Sequence, residues 1–439
     1  MLRLPNTSNI LHGLALALFL IPALSPTQTA PPQPQDPDLQ VEHFQLDALA
    51  ASLSCMPTGP NRDYFAGILA NRTGHFEESI RLLNSALPAI RTSHPHRAAI
   101  ALKTLADNYA ETFRYADAAR SLDDLIAHFP HQLRSVDLQG SKDDAGVFRI
   151  LGNAPPQTIA WSGPTRLPTR RNEIDSIVTE LTVNGVRQDW LLDTGANLSV
   201  VSRSFARRLG ITPLPGHAQT MAGATGIENP LQVAILPLLK VGGATLRNVV
   251  LLVMNDANLR IAVPGRAYQI QAILGYPALR AMGSITFRHD GFFEAGIPVS
   301  ASGSSTRMDL WYLTPVIQCG VEGQILPFSF DTGADGTMLS MRYKQRFHEE
   351  EATWKQAESN AGGAGGNIKR KIFLQPTLSL QVGSASVVLH NVPILSTPTS
   401  SYLDELYGNL GQDFVGGYES FTLDFSKMTF SLGPLLPAK

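Results

Sequence analysis

Residues 191–202 read LLDTGANLSVVS, residues 328–340 read FSFDTGADGTMLS, and the shared Asp-Thr-Gly-Ala therefore recurs 138 positions later. A lone Asp-Thr-Gly arises by chance in roughly one chain in ten of this length. Two copies in one apolar frame instead require a repeated unit. Leu191 and Leu192 before the first Asp, and Phe328 and Phe330 before the second, suit buried strands. Each carboxylate then emerges from a rigid, dry floor.

The flanks repeat in the same order. Val183-Asn184-Gly185 answers Val321-Glu322-Gly323 as a hairpin turn, and Ala222-Gly223 answers Ala361-Gly362. Val241-Gly242-Gly243 answers Val382-Gly383-Ser384, Asn248-Val249 answers Asn391-Val392, and Ile273-Leu274-Gly275 answers Asn409-Leu410-Gly411. From about residue 172 the chain carries β-branched runs punctuated by Gly, Asn and Pro, the mark of an all-β region. A whole domain is repeated.

Both repeats resemble the retropepsin-like branch of the aspartic proteases, over roughly residues 172–435. The resemblance implies a mainly β fold of two acid-protease halves, residues 172–298 and 309–435, forming a pseudo-two-fold pair around a Ser/Gly linker at 299–308. It implies Asp193 and Asp331 as the catalytic pair, in loops supported by Thr194, Gly195, Ala196, Thr332, Gly333 and Ala334. Flap hairpins at 219–227 and 359–367 would hold substrate, through Met221, Ala222, Gly223, Ala361, Gly362 and Gly363. A second glycine motif, Ile273, Leu274 and Gly275 with Leu410 and Gly411, would cross beneath the Asp loops.

Physical chemistry points the same way. Glycines at 195 and 333 permit sharp turns and close approach of a second backbone. The Thr hydroxyls are short enough to bond across to the opposite loop. Two facing carboxylates cannot both ionise, so they share one proton and offer a general base beside a general acid. A water held between them can attack a peptide carbonyl with no covalent enzyme intermediate. The expected activity is an aspartic endopeptidase that needs no cofactor and no metal and acts on a peptide or protein substrate. A peptide-binding protein that has lost catalysis is the alternative.

The repeats differ in places. Tyr276-Pro277 follows Gly275 where the second repeat has Gln412-Asp413, and Asn197 stands where the second has Asp335. The site is therefore expected to be asymmetric, with the doubt resting on the first half's support. Neither flap has the tyrosine typical of pepsin flaps. Ala after each motif Gly, rather than a hydroxyl residue, further suggests an optimum less acid than a gastric pepsin's.

The rest of the chain supplies context. Residues 1–30 read as a signal peptide, with Arg3 before the apolar core 14–24 (LALALFLIPAL), too short to span a bilayer. The protein is expected to be exported, periplasmic or secreted, or membrane-anchored if that segment is retained. A Pro-rich linker at 31–39 precedes a helical region at 40–135. There Tyr64, Phe65, Gly67, Phe76, Ile80 and Leu83 are echoed about 39 residues later, a spacing resembling tetratricopeptide repeats. Its role is expected to be a docking surface for a protein partner or a packing module. Residues 136–171 read as a linker. Cys55 and Cys319 are expected to be separate buried thiols. With 35 basic against 37 acidic residues, no nucleic-acid partner is indicated. A monomer with an intramolecular pseudo-dimer is the expected assembly.

Overall fold

The computed structural model describes residues 36–221, 228–263, 265–297, 303–363, 366–397 and 405–437. The expected signal peptide lies outside the described residues, as does most of the expected linker at 31–39, whose end enters the helix Pro37–Glu42. Helices follow to residue 151, and the remainder is mostly β. Among the described residues no helix is long and apolar enough to cross a membrane.

In the helical region, Pro60–Arg72 with Phe76–Ser93 and Pro95–Glu111 with Tyr115–His128 form successive hairpins. Ile80, Leu83 and Ile90 fall on one face of their helix and are buried. Gly67 lets that helix approach its neighbour: a Cβ there would lie 2.7 Å from Leu83 Cγ. The two hairpins turn alike, with Gly74 at φ 80° and Phe113 at φ 60°.

Residues 136–171 are not a linker. They carry the helix Ser135–Leu151 and the strands Thr158–Trp161 and Thr165–Arg171. The expected linker at 299–308 likewise ends in the strand Ser304–Leu310. The two strands share a cause: Thr165–Arg171 (TRLPTRR) and Ser304–Leu310 (SSTRMDL) lack an apolar alternation, because each passes from one sheet into another, pairing first with Phe292–Ala295 and then Ile177–Val183, or first with Thr429–Leu432 and then Pro315–Val321.

Those two strands bound an antiparallel sheet in the order Thr165–Arg171, Phe292–Ala295, Ser284–Arg288, Ser420–Asp424, Thr429–Leu432, Ser304–Leu310. Its middle pair joins the first β segment (158–295) to the second (304–432). The register runs from Ser284↔Asp424 to Arg288↔Ser420 and centres on Thr286↔Thr422, whose hydroxyls lie 2.8 Å apart. Phe287 stacks on Phe421 with ring centroids 4.8 Å apart.

Within each segment a tight hairpin leads to an Asp-Thr-Gly-Ala loop. Ile177–Val183 turns through Asn184 and Gly185 (φ 49° and 78°) into Val186–Leu192; Pro315–Val321 turns through Glu322 and Gly323 (φ 48° and 76°) into Gln324–Phe330. Positive φ at both turn positions matches the strand twist and explains the repeated glycine. The strand Ala272–Leu274 then runs parallel to Val186–Leu192, with Ile273↔Leu191, and Gly408–Leu410 runs parallel to Gln324–Phe330, with Ser329↔Asn409.

The helical region shares one hydrophobic core with the β segments. At their contact Tyr276 donates its hydroxyl to Glu111 Oε1 at 2.9 Å, and Arg280 pairs with Glu111 Oε2 at 3.1 Å. Arg72, fully buried, lies 3.7 Å from the Trp311 ring centroid. Cys319 is buried as expected, but Cys55 is exposed at the end of its helix, and neither is in a disulfide.

Burial pushes the Glu111 carboxyl up to about 7 despite Arg280. In the unfolded chain it loses its proton near pH 4.5, so between those values the folded protein binds more protons and this site's contribution to stability falls as pH rises. Glu111→Gln keeps an acceptor for Tyr276 and removes the titration. Urea unfolding at pH 4.5 and above pH 7 should show the variant losing about 3 kcal/mol less than wild type across the interval. Equal losses would refute a protonated Glu111.

Candidate active site

Asp193 and Asp331 each leave the end of a buried strand and are held in the same way. The Asp193 N–H donates to Leu274 O at 3.0 Å, and its Oδ1 accepts from the N–H groups of Gly195 (2.9 Å) and Ala196 (3.0 Å). The Asp331 N–H donates to Leu410 O at 3.0 Å, and its Oδ1 accepts from Gly333 (2.7 Å) and Ala334 (3.2 Å). The two carboxylates lie close enough for each to act on the other's charge, each packed against the opposite loop's glycine. A Cβ on Gly195 would lie 2.3 Å from Asp331 Cγ, and one on Gly333 would lie 2.6 Å from Asp193 Cγ. Only hydrogen fits at either place.

The threonines interlock the loops. The Thr194 N–H donates to Thr332 Oγ1 at 3.0 Å and the Thr332 N–H to Thr194 Oγ1 at 3.1 Å. The Thr194 hydroxyl then donates to Phe330 O (2.9 Å) and that of Thr332 to Leu192 O (2.8 Å). Both side chains are fully buried, so each hydroxyl has a partner as donor and as acceptor.

Burial first, and the Asp331 carboxylate second, raise the Asp193 carboxyl well above the usual range. Two acids this close and this dry retain a proton that either would lose in water. The arrangement can accept one proton and donate another at adjacent oxygens. Among the described residues no group of three or more His, Cys, Asp and Glu side chains is placed to hold a metal ion.

The second glycine motif sits under each loop. The Gly275 N–H donates to Ser199 Oγ (3.0 Å) and the Tyr276 N–H to Ala196 O (2.8 Å); the Gly411 N–H donates to Thr337 Oγ1 (3.2 Å) and the Gln412 N–H to Ala334 O (2.9 Å). A Cβ on Gly275 would lie 2.7 Å from Ala196 O, and one on Gly411 would lie 2.5 Å from Gly336 C. Ile273, Leu274 and Leu410 lie in the strands that lead to these glycines.

Beyond this frame the sides diverge. Asp413 accepts from the Thr337 N–H (3.0 Å) and hydroxyl (2.7 Å), and Gln412 Nε2 donates to Thr332 O at 2.7 Å. Pro277 offers no carboxylate, and Tyr276 turns to Glu111 in the helical region. Asn197 Nδ2 donates to Tyr312 O at 2.6 Å. The first loop thus has its own support, part of it from a helix outside the repeats.

Met221 ends the strand Ala218–Met221, which pairs with Glu228–Val241; Ala222 and Gly223 lie outside the described residues. Ala361, Gly362 and Gly363 end the strand Lys355–Gly363, which pairs with Gly366–Val382. The repeats align Asn409 with Ile273, but they do not point to Asn409 and Ser329 as residues that touch the pair. Asn409 Nδ2 donates to Asp331 Oδ2 at 3.3 Å, and Ser329 Oγ donates to Asn409 Oδ1 at 2.7 Å. Their signal was two polar residues where the first repeat has Leu191 and Ile273.

Residues 179–278 match the family described as aspartyl protease, a stretch containing Asp193 and Gly275. The match supports an aspartyl protease domain in this part of the chain. No curated protein matches the chain.

Proposed function

We propose that the chain is an aspartic endopeptidase with a single site built from both Asp-Thr-Gly-Ala loops, and that the β segments are two retropepsin-like halves fused in one chain. The observation that carries this reading is the close approach of Asp331 to Gly195 and of Asp193 to Gly333, in loops locked together by Thr194 and Thr332. The seam centred on Thr286 and Thr422 supports a pseudo-two-fold axis there. A water between the carboxylates is activated by the ionised one and attacks a peptide carbonyl, while the protonated one stabilises the developing oxyanion. The hairpins ending at Met221 and Gly363 act as flaps over an extended peptide.

In this reading residues 40–135 are tetratricopeptide-like hairpins that brace the first loop's side of the site through Glu111, Tyr276 and Arg280. The docking of a protein partner there rests on the repeat spacing alone, and export rests on the N-terminal sequence alone.

A statine-type peptide should block hydrolysis of denatured protein, because its hydroxyl takes the position of the tetrahedral centre. Residual activity at saturation should fall below about a tenth of the free rate, with an optimum above about pH 3 because Ala196 and Ala334 bring no hydroxyl to the pair. Unaltered cleavage at saturating inhibitor, or a maximum below that pH, would contradict it.

A further inference from the structure

We propose that Asn409, oriented by Ser329, is a positioning residue that makes Asp331 the ionised member of the pair and Asp193 the protonated one. This assignment rests on the peptidase reading above. Each Asp already has its Oδ1 occupied by two backbone N–H groups, so the backbone does not distinguish them. The difference lies at the other oxygen, where Asp331 Oδ2 receives the Asn409 amide. At the matching place in the first half stands Ile273, which has no donor. The cross-strand partners differ in the same sense: Ser329 faces Asn409, whereas Leu191 faces Ile273. By donating to Asn409 Oδ1, Ser329 keeps Nδ2 toward Asp331; the reversed amide would set two acceptor oxygens against each other. A donor aimed at one carboxylate stabilises its charged form and leaves the shared proton on the other.

Asp193 feels Asp331 and the N–H groups of Gly195 and Ala196. Beneath the loops, Arg171 is bonded to Gln412, and Asp413 is occupied by Thr337. In the reaction Asp331 takes a proton from water as the water oxygen bonds to the carbonyl carbon, and Asp193 gives its proton to the carbonyl oxygen. When the C–N bond breaks, the nitrogen takes the proton from Asp331 and a hydroxyl proton of the diol returns to Asp193.

The test is the pH profile of kcat/KM on a short peptide for wild type, Asn409→Leu and Ser329→Ala. The acid limb reports protonation of the ionised member. Asn409→Leu should move it up by about one pH unit and lower kcat about tenfold with KM within about twofold. Ser329→Ala, which leaves the amide in place but free to turn, should move it the same way by less. A merely structural role would lower activity without moving the limb. An active wild type with the limb unmoved in both variants overturns the assignment alone; an inactive wild type overturns the peptidase reading and the assignment with it.

Discussion

Asp193→Asn and Asp331→Asn should each lower peptide hydrolysis by about a thousandfold or more, with little change in stability. The amide keeps an oxygen for the N–H groups of Gly195 and Ala196, or of Gly333 and Ala334, so the loops can hold their shape. What it removes is the exchange of one proton between two acids. The equality of the two losses is the informative part. If instead the site formed between identical motifs of two chains, each variant would keep one intact pair and about half the activity. Steady-state rates on a short peptide, beside unfolding curves for each variant, decide between these outcomes.

Gly195→Ala should be nearly as damaging to activity, and it should also destabilise the protein. The added methyl would lie 2.3 Å from Asp331 Cγ and 2.6 Å from both of that carboxylate's oxygens. Asp331 has little room to yield, since its Oδ1 is held by two N–H groups and its Oδ2 by Asn409. Gly195 has little room either, because the neighbouring Thr194 is fully buried in the interlock. Overpacking of this kind costs about 1–3 kcal/mol, and displacing a reacting group by about 1 Å costs about a hundredfold in rate. Gly163→Ala, where nothing lies within 4 Å, is the control and should change neither quantity. Wild-type rates in Gly195→Ala would mean that the two loops are not in contact in solution.

The elements that sequence reading recovered are those whose local chemistry is strongly constrained. Gly185 and Gly323 announce turns because their neighbours must also adopt positive φ, and the residues just before each Asp, Trp190 to Leu192 and Phe328 to Phe330, are buried and mostly apolar. The repeated Asn248 and Asn391 were legible as a pair for the same reason: both adopt positive φ inside a strand, at 57° and 54°. What failed to show were elements defined by their neighbours. Thr165–Arg171 and Ser304–Leu310 look like linkers until the sheets they pass between are assembled, and Ser135–Leu151, with glycines at 140 and 146, buries only part of its length. Tyr276 read as a departure from the repeat because its partner, Glu111, lies 165 residues away on a helix. Asn409 was visible in the aligned motif, but the oxygen it reaches is set by a strand crossing that no local pattern encodes.

If Asp193 and Asp331 of one chain make one site, as proposed, the most direct measurement is the activity of the two inactive variants mixed. Asp193→Asn and Asp331→Asn chains, combined at equal concentration and also refolded together from denaturant, should recover no hydrolysis, because every site assembled within a chain still lacks one carboxylate. Recovery of a substantial fraction of wild-type activity in the co-refolded mixture would show that the two aspartates of a working site come from different chains, and would contradict the fused arrangement.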